Sequence, residues 1–237
     1  MGLGWGWFKG MAGDNQPHAH HAIQILIAES PQSVWTVQTG WISHTGIMIG
    51  ANVRHQLAPT REPVSLFYIE PDSDAGQALS QRVLDAVSPL TAEEIQQARR
   101  RLGDLAALAP APDQWLASML AGSRHALPER QRDELIHQIM TALPTPLPER
   151  LAASELAGQA GLSLSRFQHR FRAHAGMALR PYLRWRRLLH AMAALMQGEA
   201  ITDAALAAGF SDAAHFTRTV RRHFGIAPRA LSALRGA

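Results

Sequence analysis

Polar and basic side chains recur at helical spacing in two short segments near the end of the chain. In the first segment they are Ser165, Arg166, Gln168, His169 and Arg172. In the second they are His215, Thr217, Arg218, Arg221 and Arg222, and the apolar Ala213 and Ala214 precede them. Amide, imidazole and hydroxyl groups hydrogen-bond base edges in the major groove, and arginine side chains beside them bind phosphate. These residue types predict contacts with DNA, with the phosphates falling to Arg166, Arg172, Arg221 and Arg222.

The two segments belong to an internal repeat. Glu155-Leu-Ala-Gly-Gln-Ala-Gly161-Leu-Ser163 corresponds to Asp203-Ala-Ala-Leu-Ala-Ala-Gly209-Phe-Ser211, and Gly161 and Gly209 are 48 residues apart. Phe167, Phe171 and Gly176 correspond to Phe216, Val220 and Gly225 at an offset of 49 residues. Each copy has the pattern of a short helix, a turn containing glycine and a second helix. The second helix is capped by Ser163 in the first copy, and by Ser211 or Asp212 in the second. This pattern is typical of a helix-turn-helix unit.

A long helix is predicted between the two copies. It begins at Pro181, carries Tyr182, Trp185 and Met192 along one stripe, and ends at Gly198. About 17 residues at about 1.5 Å each give a length of roughly 25 Å. A rigid helix of that length is expected to hold two recognition helices about one DNA turn apart, which is roughly 34 Å.

The charge distribution supports a nucleic-acid-binding half. Residues 128–237 carry 15 arginines against 8 acidic residues, whereas residues 1–127 carry 8 basic and 11 acidic residues. The chain has no cysteine, which excludes disulfides and thiolate metal sites. It has neither an apolar run of membrane-spanning length nor a signal-peptide pattern at its start, so a cytoplasmic protein without a membrane partner is expected.

The N-terminal half is predicted to be a small all-β sandwich or barrel. Short β-branched or aromatic runs occur at 23–27, 34–39, 46–50 and 65–70. From Asp74 the pattern becomes helical, with a first helix that includes Leu79, Val83 and Val87. A second begins at a capping box starting at Thr91, and a third covers 113–120. These helices either pack on the β domain or form a dimer interface. A further helix, 129–143, precedes the non-helical segment Pro144-Thr-Pro-Leu-Pro148.

From about Asp133 to Leu234 the sequence resembles the AraC/XylS family of bacterial transcription regulators. The motifs that carry the resemblance are those of the repeat, together with Pro181-Tyr182-Leu183, Ile201-Thr-Asp, His215-Phe216 and Phe224-Gly225-Ile-Ala-Pro228. The resemblance implies a regulator that binds double-stranded DNA, often activates by contacting RNA polymerase, and is compatible with a homodimer. It also assigns base contacts to Ser165, Gln168, His169, Ala213, Ala214, Thr217 and Arg218. Because Ala213 and Ala214 offer only methyl groups, we expect the first copy to read sequence and the second mainly to hold the backbone.

Residues 15–70 resemble the cupin fold more weakly. Cupins often hold a metal with His-x-His, a glutamate four residues on and a distant histidine, and the matching positions here are His18, His20, Gln24 and His55. The resemblance implies either a divalent metal such as Zn, Ni or Co, or a site without metal whose histidines line an effector pocket, make hydrogen bonds or respond to pH.

Together these features predict an α+β protein with two domains. Residues 1–74 would form a cupin-like sensor, 75–127 a helical connector and possible dimerisation segment, and 128–237 an all-α domain with two helix-turn-helix units joined by the long helix. The predicted function is transcription regulation by a small-molecule or metal effector, without enzymatic activity. The alternatives are a metal-dependent cupin enzyme or metal sensor fused to a DNA-binding domain, and an architectural DNA-binding protein without effector.

Overall fold

The computed structural model describes residues 5–12, 16–73, 75–76, 79–80, 83, 86–105, 133–225 and 227–228. Contacts divide the chain into two compact units. The first holds residues 1–128 with 222–226 and 237, and the second holds 129–221 with 227–236. The helix predicted over 113–120 lies outside the described residues, and the domain boundaries set from the sequence stay a prediction.

The N-terminal unit is built on one antiparallel sheet. Its strands are β1 (Trp5–Gly10), β2 (Ile23–Thr36), β3 (Gly40–Ile49), β4 (His55–Leu57), β5 (Val64–Ile69) and β6 (Val87–Pro89). They pair in the order β1-β5-β2-β3-β6, and β4 pairs with the end of β2. Over the described strands this sheet is open, since the edge strands β1 and β6 do not pair with each other. The closed cupin-like barrel predicted from the sequence is therefore not confirmed.

The central strand β2 is apolar on both of its faces. Ile23, Ile25 and Ile27 pack with Met48 and Phe67 in one cluster. Leu26, Ala28 and Val34 pack in another with Ile47 and Leu66. Successive side chains of a strand point to opposite faces, so a strand covered on both sides has a near-continuous apolar run. The run predicted at 23–27 and the first half of the run predicted at 34–39 are parts of this one strand, which has a register shift between Ile27 and Gln32. Residues 37–39 form the turn to β3 instead.

The helical assignment of Val87 was wrong. Val87 is buried and pairs with Ile49, so that β6 extends the sheet next to β3. A β-branched residue favours this buried strand position over the end of a helix.

Helix α1 (Ala92–Leu105) confirms the predicted capping box. The Thr91 N–H donates to Glu94 Oε2 at 2.8 Å and the Glu94 N–H donates to Thr91 Oγ1 at 3.3 Å. Arg99 of this helix donates to the carbonyl oxygens of Ala28 and Glu29 at the bulge of β2. The helix is thereby fixed on the sheet of the same unit.

The second unit is helical. Its elements are α2 (Glu134–Ala142), α3 (Ala153–Gln159), α4 (Leu164–Ala175), α5 (Leu179–Gln197), α6 (Ile201–Ala207) and α7 (Ala213–Phe224), the last three residues of which are grouped with the first unit. The proline-rich segment 144–148 connects α2 and α3 without a helix, as predicted. Helix α5 occupies the stretch predicted between the two copies and ends at Gly198, which has φ +112°. Within the described ranges, no helix has both the length and the apolar character needed to cross a membrane.

Candidate nucleic-acid interface and histidine cluster

Helices α3 and α4 form the first helix-turn-helix unit. Gly161 has φ +62° in the turn between them, and Ser163 Oγ accepts the N–H of Arg166 at 3.4 Å. Phe167 and Phe171 are fully buried on one face of α4, and the Phe171 ring meets the edge of Tyr182 with centroids 5.3 Å apart. Because these anchors fix the rotation of α4, its opposite face is the one left to solvent.

The residues predicted to contact DNA from the first unit lie on that solvent face. Ser165, Gln168 and His169 are exposed, as are Arg166 and Arg172. The positions at three and four residues' spacing form one continuous surface of the helix. The structure therefore places all five candidates of the first copy together, although DNA contact itself stays a prediction.

Helices α6 and α7 form the second unit with the same anchors. Gly209 has φ +79°, and Asp212 Oδ1 accepts the N–H of His215 at 2.6 Å, which makes Asp212 the cap. This hydrogen bond, together with one from Ser211, holds the pKa of the Asp212 carboxyl below its usual value. Phe216 and Val220 are fully buried beneath.

The predicted contact residues of the second unit are less uniformly accessible. Ala214 and Arg218 are exposed, as are Arg221 and Arg222, whereas Ala213 and Thr217 are half-buried. The exposed face of this helix thus begins with a methyl group and continues with guanidinium groups.

An ion pair that the sequence analysis missed fixes α4 against α2. Asp133 Oδ1 caps α2 by accepting the N–H of Ile136, and the same carboxylate receives Nε and Nη2 of Arg170 at 2.7 and 2.6 Å. The hydrogen bond from Arg170 is the main reason that the pKa of Asp133 lies below its usual value. The only sequence signal was an Asp in a helix-capping position, which carries no information about a partner 37 residues away.

The three histidines predicted to line a site in the N-terminal unit do converge. His18 and His55 exchange two backbone hydrogen bonds of 2.9 Å, which set their side chains next to each other. His18, His20 and His55 are 6, 2 and 1% exposed, and one ring nitrogen of each lies within 4.8 Å of the others. The predicted set is therefore brought together on the chain entering β2 and on β4.

Gln24 lies between two of these rings. Its Oε1 is 2.9 Å from His20 Nε2 and 3.1 Å from His55 Nε2, and the residue is 2% exposed. The amide that stands where cupins carry a carboxylate thus belongs to the same buried cluster.

The protonation of the rings follows from their second nitrogens. Nδ1 lies 2.8 Å from the Gln16 carbonyl oxygen in His18, 2.8 Å from that of Ala22 in His20, and 2.9 Å from that of Val53 in His55. A carbonyl oxygen only accepts, so each Nδ1 carries the proton. Burial lowers the pKa of all three histidines, that of His20 to about 4, so the rings are neutral near pH 7. Each Nε2 consequently turns a lone pair toward the cluster.

The helical half is similar to known DNA-binding proteins. A family model described as a helix-turn-helix domain matches residues 156–233. A probable transcription factor of Proteus vulgaris, PqrA, is 34% identical over 99 residues, which are 40% of this chain and 81% of that protein. The virulence regulon transcriptional activator VirF of Yersinia enterocolitica is 37% identical over 76 residues, 32% of this chain and 28% of that protein. The chain thus spans under a third of the length of some of the curated relatives it matches.

Solved structures of ToxT are similar over the whole chain. ToxT of Vibrio cholerae O395 superposes with a TM-score of 0.62 at 12% sequence identity, covering 100% of both chains. A structure of ToxT from strain SCE256 with a bound unsaturated fatty acid gives a TM-score of 0.61 at 10% identity. At this level of identity the likeness establishes the fold, a sheet unit followed by a helical unit with two helix-turn-helix motifs.

Proposed function

The chain belongs to the AraC/XylS family of bacterial transcription regulators, and from that premise we propose that an effector bound in its N-terminal unit controls promoter binding by its C-terminal unit. The observation that carries the DNA-binding part is the pair of capped recognition helices, each anchored by buried aromatic or β-branched residues and basic on its other face. Homodimer formation, contact with RNA polymerase, a cytoplasmic location and a cupin-like description of the sheet unit belong to the same proposal.

Within this proposal the first helix-turn-helix unit reads the sequence and the second mainly holds the DNA backbone. Gln168 and His169 are exposed hydrogen-bonding groups on α4, whereas two of the four predicted base-contact positions of α7 are the alanines Ala213 and Ala214. Helix α5, between the two units, would set their spacing along one face of the duplex.

Selection of bound duplexes from a random pool, using the full chain, tests this function. We expect enriched sites with one strongly specified segment, and a weakly specified segment about one helical turn away. Enrichment of no sequence would contradict the proposed regulator and favour an architectural DNA-binding protein.

For the effector we propose a divalent metal ion such as Zn, Ni or Co, held by His18, His20 and His55. Neutral imidazole is a ligand that these ions prefer, and a metal-binding histidine usually donates its other ring N–H to a carbonyl or carboxylate oxygen. All three rings here have that arrangement, and Gln24 Oε1 would provide a neutral fourth ligand. When bound, the ion would act as an effector that orders the cluster.

The alternative for this cluster is a pocket of hydrogen-bonding histidines without metal. In that case the Gln24 amide group would turn so that its NH₂ group donates to His20 Nε2 and His55 Nε2. An enzymatic cupin is not favoured, because the relatives are transcription regulators and Gln24 stands where cupins carry a metal-binding glutamate.

Metal titration of the purified chain separates these two readings. Isothermal titration with Zn²⁺, Ni²⁺ and Co²⁺ should show one site per chain that is lost in the His20→Ala variant. The exposed His44 of β3 provides the matched control, since His44→Ala removes an imidazole outside the cluster. Equal binding by the wild type and the His20→Ala variant would contradict the metal site and leave DNA binding untouched.

A further inference from the structure

A basic cleft in the helical unit is not explained by any of the predicted contacts. It has a volume of about 380 Å³ and lies between the segment before α3, helix α5 and the turn between α6 and α7. Arg180, Arg184 and Arg187 line it from α5, and Arg150 lines it from the segment before α3. Among the lining residues that the structure describes, Glu149 is the only acidic one against four arginines, so this part of the cleft carries a net positive charge.

The spacing of the arginines on α5 destabilises the helix. Arg180, Arg184 and Arg187 follow a spacing of four and then three residues, which puts them on one stripe, where like charges repel. Arg180 and Arg184 are exposed, and no hydrogen bond or ion pair holds either of them in the described part of the chain. A stripe of uncompensated cations around a concave surface is what an anionic ligand would stabilise.

Arg187, unlike Arg180 and Arg184, is hydrogen-bonded to the backbone beside the cleft. Its Nη2 donates to the carbonyl oxygens of Pro148 and Glu149 at 2.8 and 2.9 Å, which ties the segment before α3 to α5. Its guanidinium also lies against Gly209, where a Cβ would come within 3.2 Å of Nε. The walls of the cleft are therefore fixed relative to the turn of the second helix-turn-helix unit.

The turn between α6 and α7 indicates which kind of anion would bind in the cleft. Gly209, Phe210 and His215, which precede or begin α7, line the cleft together with the arginines of α5. When a recognition helix enters the major groove, phosphates of the adjacent strand lie beside its N-terminal end. A phosphate in that position would face the guanidinium groups of the stripe.

We propose that the cleft binds a phosphate of the DNA backbone beside the segment read by α7, through Arg180 and Arg184, with Arg150 contributing from the segment before α3. This inference rests on the proposed DNA-binding function and adds a phosphate site on the helix between the two units. It also explains how a unit with alanines at two base-facing positions holds DNA, since affinity there comes from phosphate contacts.

The test measures the salt dependence of DNA binding by the full chain, and it needs no known operator. A labelled random-sequence duplex is titrated over a series of KCl concentrations with the wild type and with the double variant Arg180→Gln/Arg184→Gln. Each lost phosphate contact should lower the slope of log Kd against log salt concentration by about 1. We expect a decrease of about 1 to 2, and binding at least tenfold weaker at low salt.

Two further variants keep the result specific. Arg61→Gln/Arg100→Gln removes the same charge from exposed positions of the N-terminal unit and should leave the slope unchanged. Arg180→Lys/Arg184→Lys retains the charge and should restore most of the slope. Circular dichroism melting of each variant verifies that the helical unit is folded.

Three results would overturn the proposal. The first is a wild-type slope in the Arg180→Gln/Arg184→Gln variant, and the second is an equal decrease in the Arg61→Gln/Arg100→Gln control. The third is an unchanged slope together with binding of inorganic phosphate that only the Gln variant lacks, which would assign the cleft to a small oxyanion instead. A wild-type chain that binds no duplex at any salt concentration would overturn the proposed DNA-binding function as well.

Discussion

Single side chains on the recognition helices decide whether a segment of DNA is read or only held. Gln168 lies exposed on α4, and a glutamine amide pairs with adenine through two hydrogen bonds that discriminate against other bases by about 1–3 kcal/mol. We predict that Gln168→Ala changes the sequences selected from a random pool at one position. Arg221→Ala, which removes a predicted phosphate contact, should weaken binding to selected and random duplexes alike. Equal losses on both duplexes for the Gln168 variant would overturn its assignment as a base-reading residue.

Asp133 combines two stabilising roles in one carboxylate. It caps α2 and pairs with Arg170 of α4, and loss of a capping side chain costs about 0.5–2 kcal/mol. We predict that Asp133→Ala lowers the free energy of unfolding in urea by about 1–2 kcal/mol at pH 7. The same replacement at Glu199, an exposed acid outside such contacts, should have little effect.

The effect of Asp133 should depend on pH in a defined direction. Because its pKa is lower in the folded chain than in the unfolded chain, its contribution is present above the ordinary carboxyl pKa of about 3.9. This contribution is lost as the pH falls through the lowered pKa of Asp133 in the folded state, because the carboxylate of the wild type then becomes protonated. The difference between wild type and Asp133→Ala should therefore shrink at acidic pH, and a constant difference down to pH 2 would contradict the ion pair.

At the scale of the elements, the turn of the first helix-turn-helix unit depends on backbone conformation rather than on space. Gly158 and Gly161 both have open space where a Cβ would be added, but only Gly161 has a positive φ, of 62°. We predict that Gly161→Ala destabilises the chain by about 1 kcal/mol, because an L-residue is strained in this region. Gly158→Ala, inside α3, should be neutral or stabilising by up to about 1 kcal/mol. Thermal melting of the two variants measures this, and equal melting temperatures would show that the turn tolerates a side chain.

The elements also show where the sequence was informative. The helix-turn-helix units and the capping box at Thr91 were predictable because their signals are local, namely a glycine in the turn, a capping hydroxyl or carboxylate and apolar residues four apart. Strand β1 was not predicted, since the glycines of Trp5–Gly10 interrupt any alternation and the pairing with β5 joins residues about sixty apart. The helix assigned through Val87 failed for a related reason, because only pairing with Ile49 reveals a strand of three residues.

The candidate sites were likewise predictable from the sequence only in part. The histidine cluster was predictable as a set, since His18 and His20 flank one position and the resemblance supplied His55. The tautomers were not, because they depend on carbonyl oxygens that the fold brings to each Nδ1. The basic cleft escaped the sequence entirely, since Arg150 and the α5 stripe come from separate segments and meet only in the folded unit.

For the whole molecule, regulation requires that the effector site and the DNA-binding surface influence each other's affinity. Coupling of two sites is a free energy, typically about 1–3 kcal/mol, and it acts equally in both directions. If a metal ion at His18, His20 and His55 is the effector, the Kd for a selected duplex should differ between metal-loaded and chelator-treated chain by about 5- to 150-fold.

Measuring metal affinity with and without bound DNA gives a second test of the same coupling. The metal affinity of the full chain should change by the same factor when saturating duplex is present, in the same direction as the change in DNA affinity. His44→Ala should behave as wild type in both titrations, whereas His20→Ala should bind DNA with one affinity at all metal concentrations. Metal binding that leaves the DNA affinity unchanged would mean that the ion is only a structural component of the sheet unit. A ligand that binds two states of the protein with equal affinity shifts no equilibrium between them.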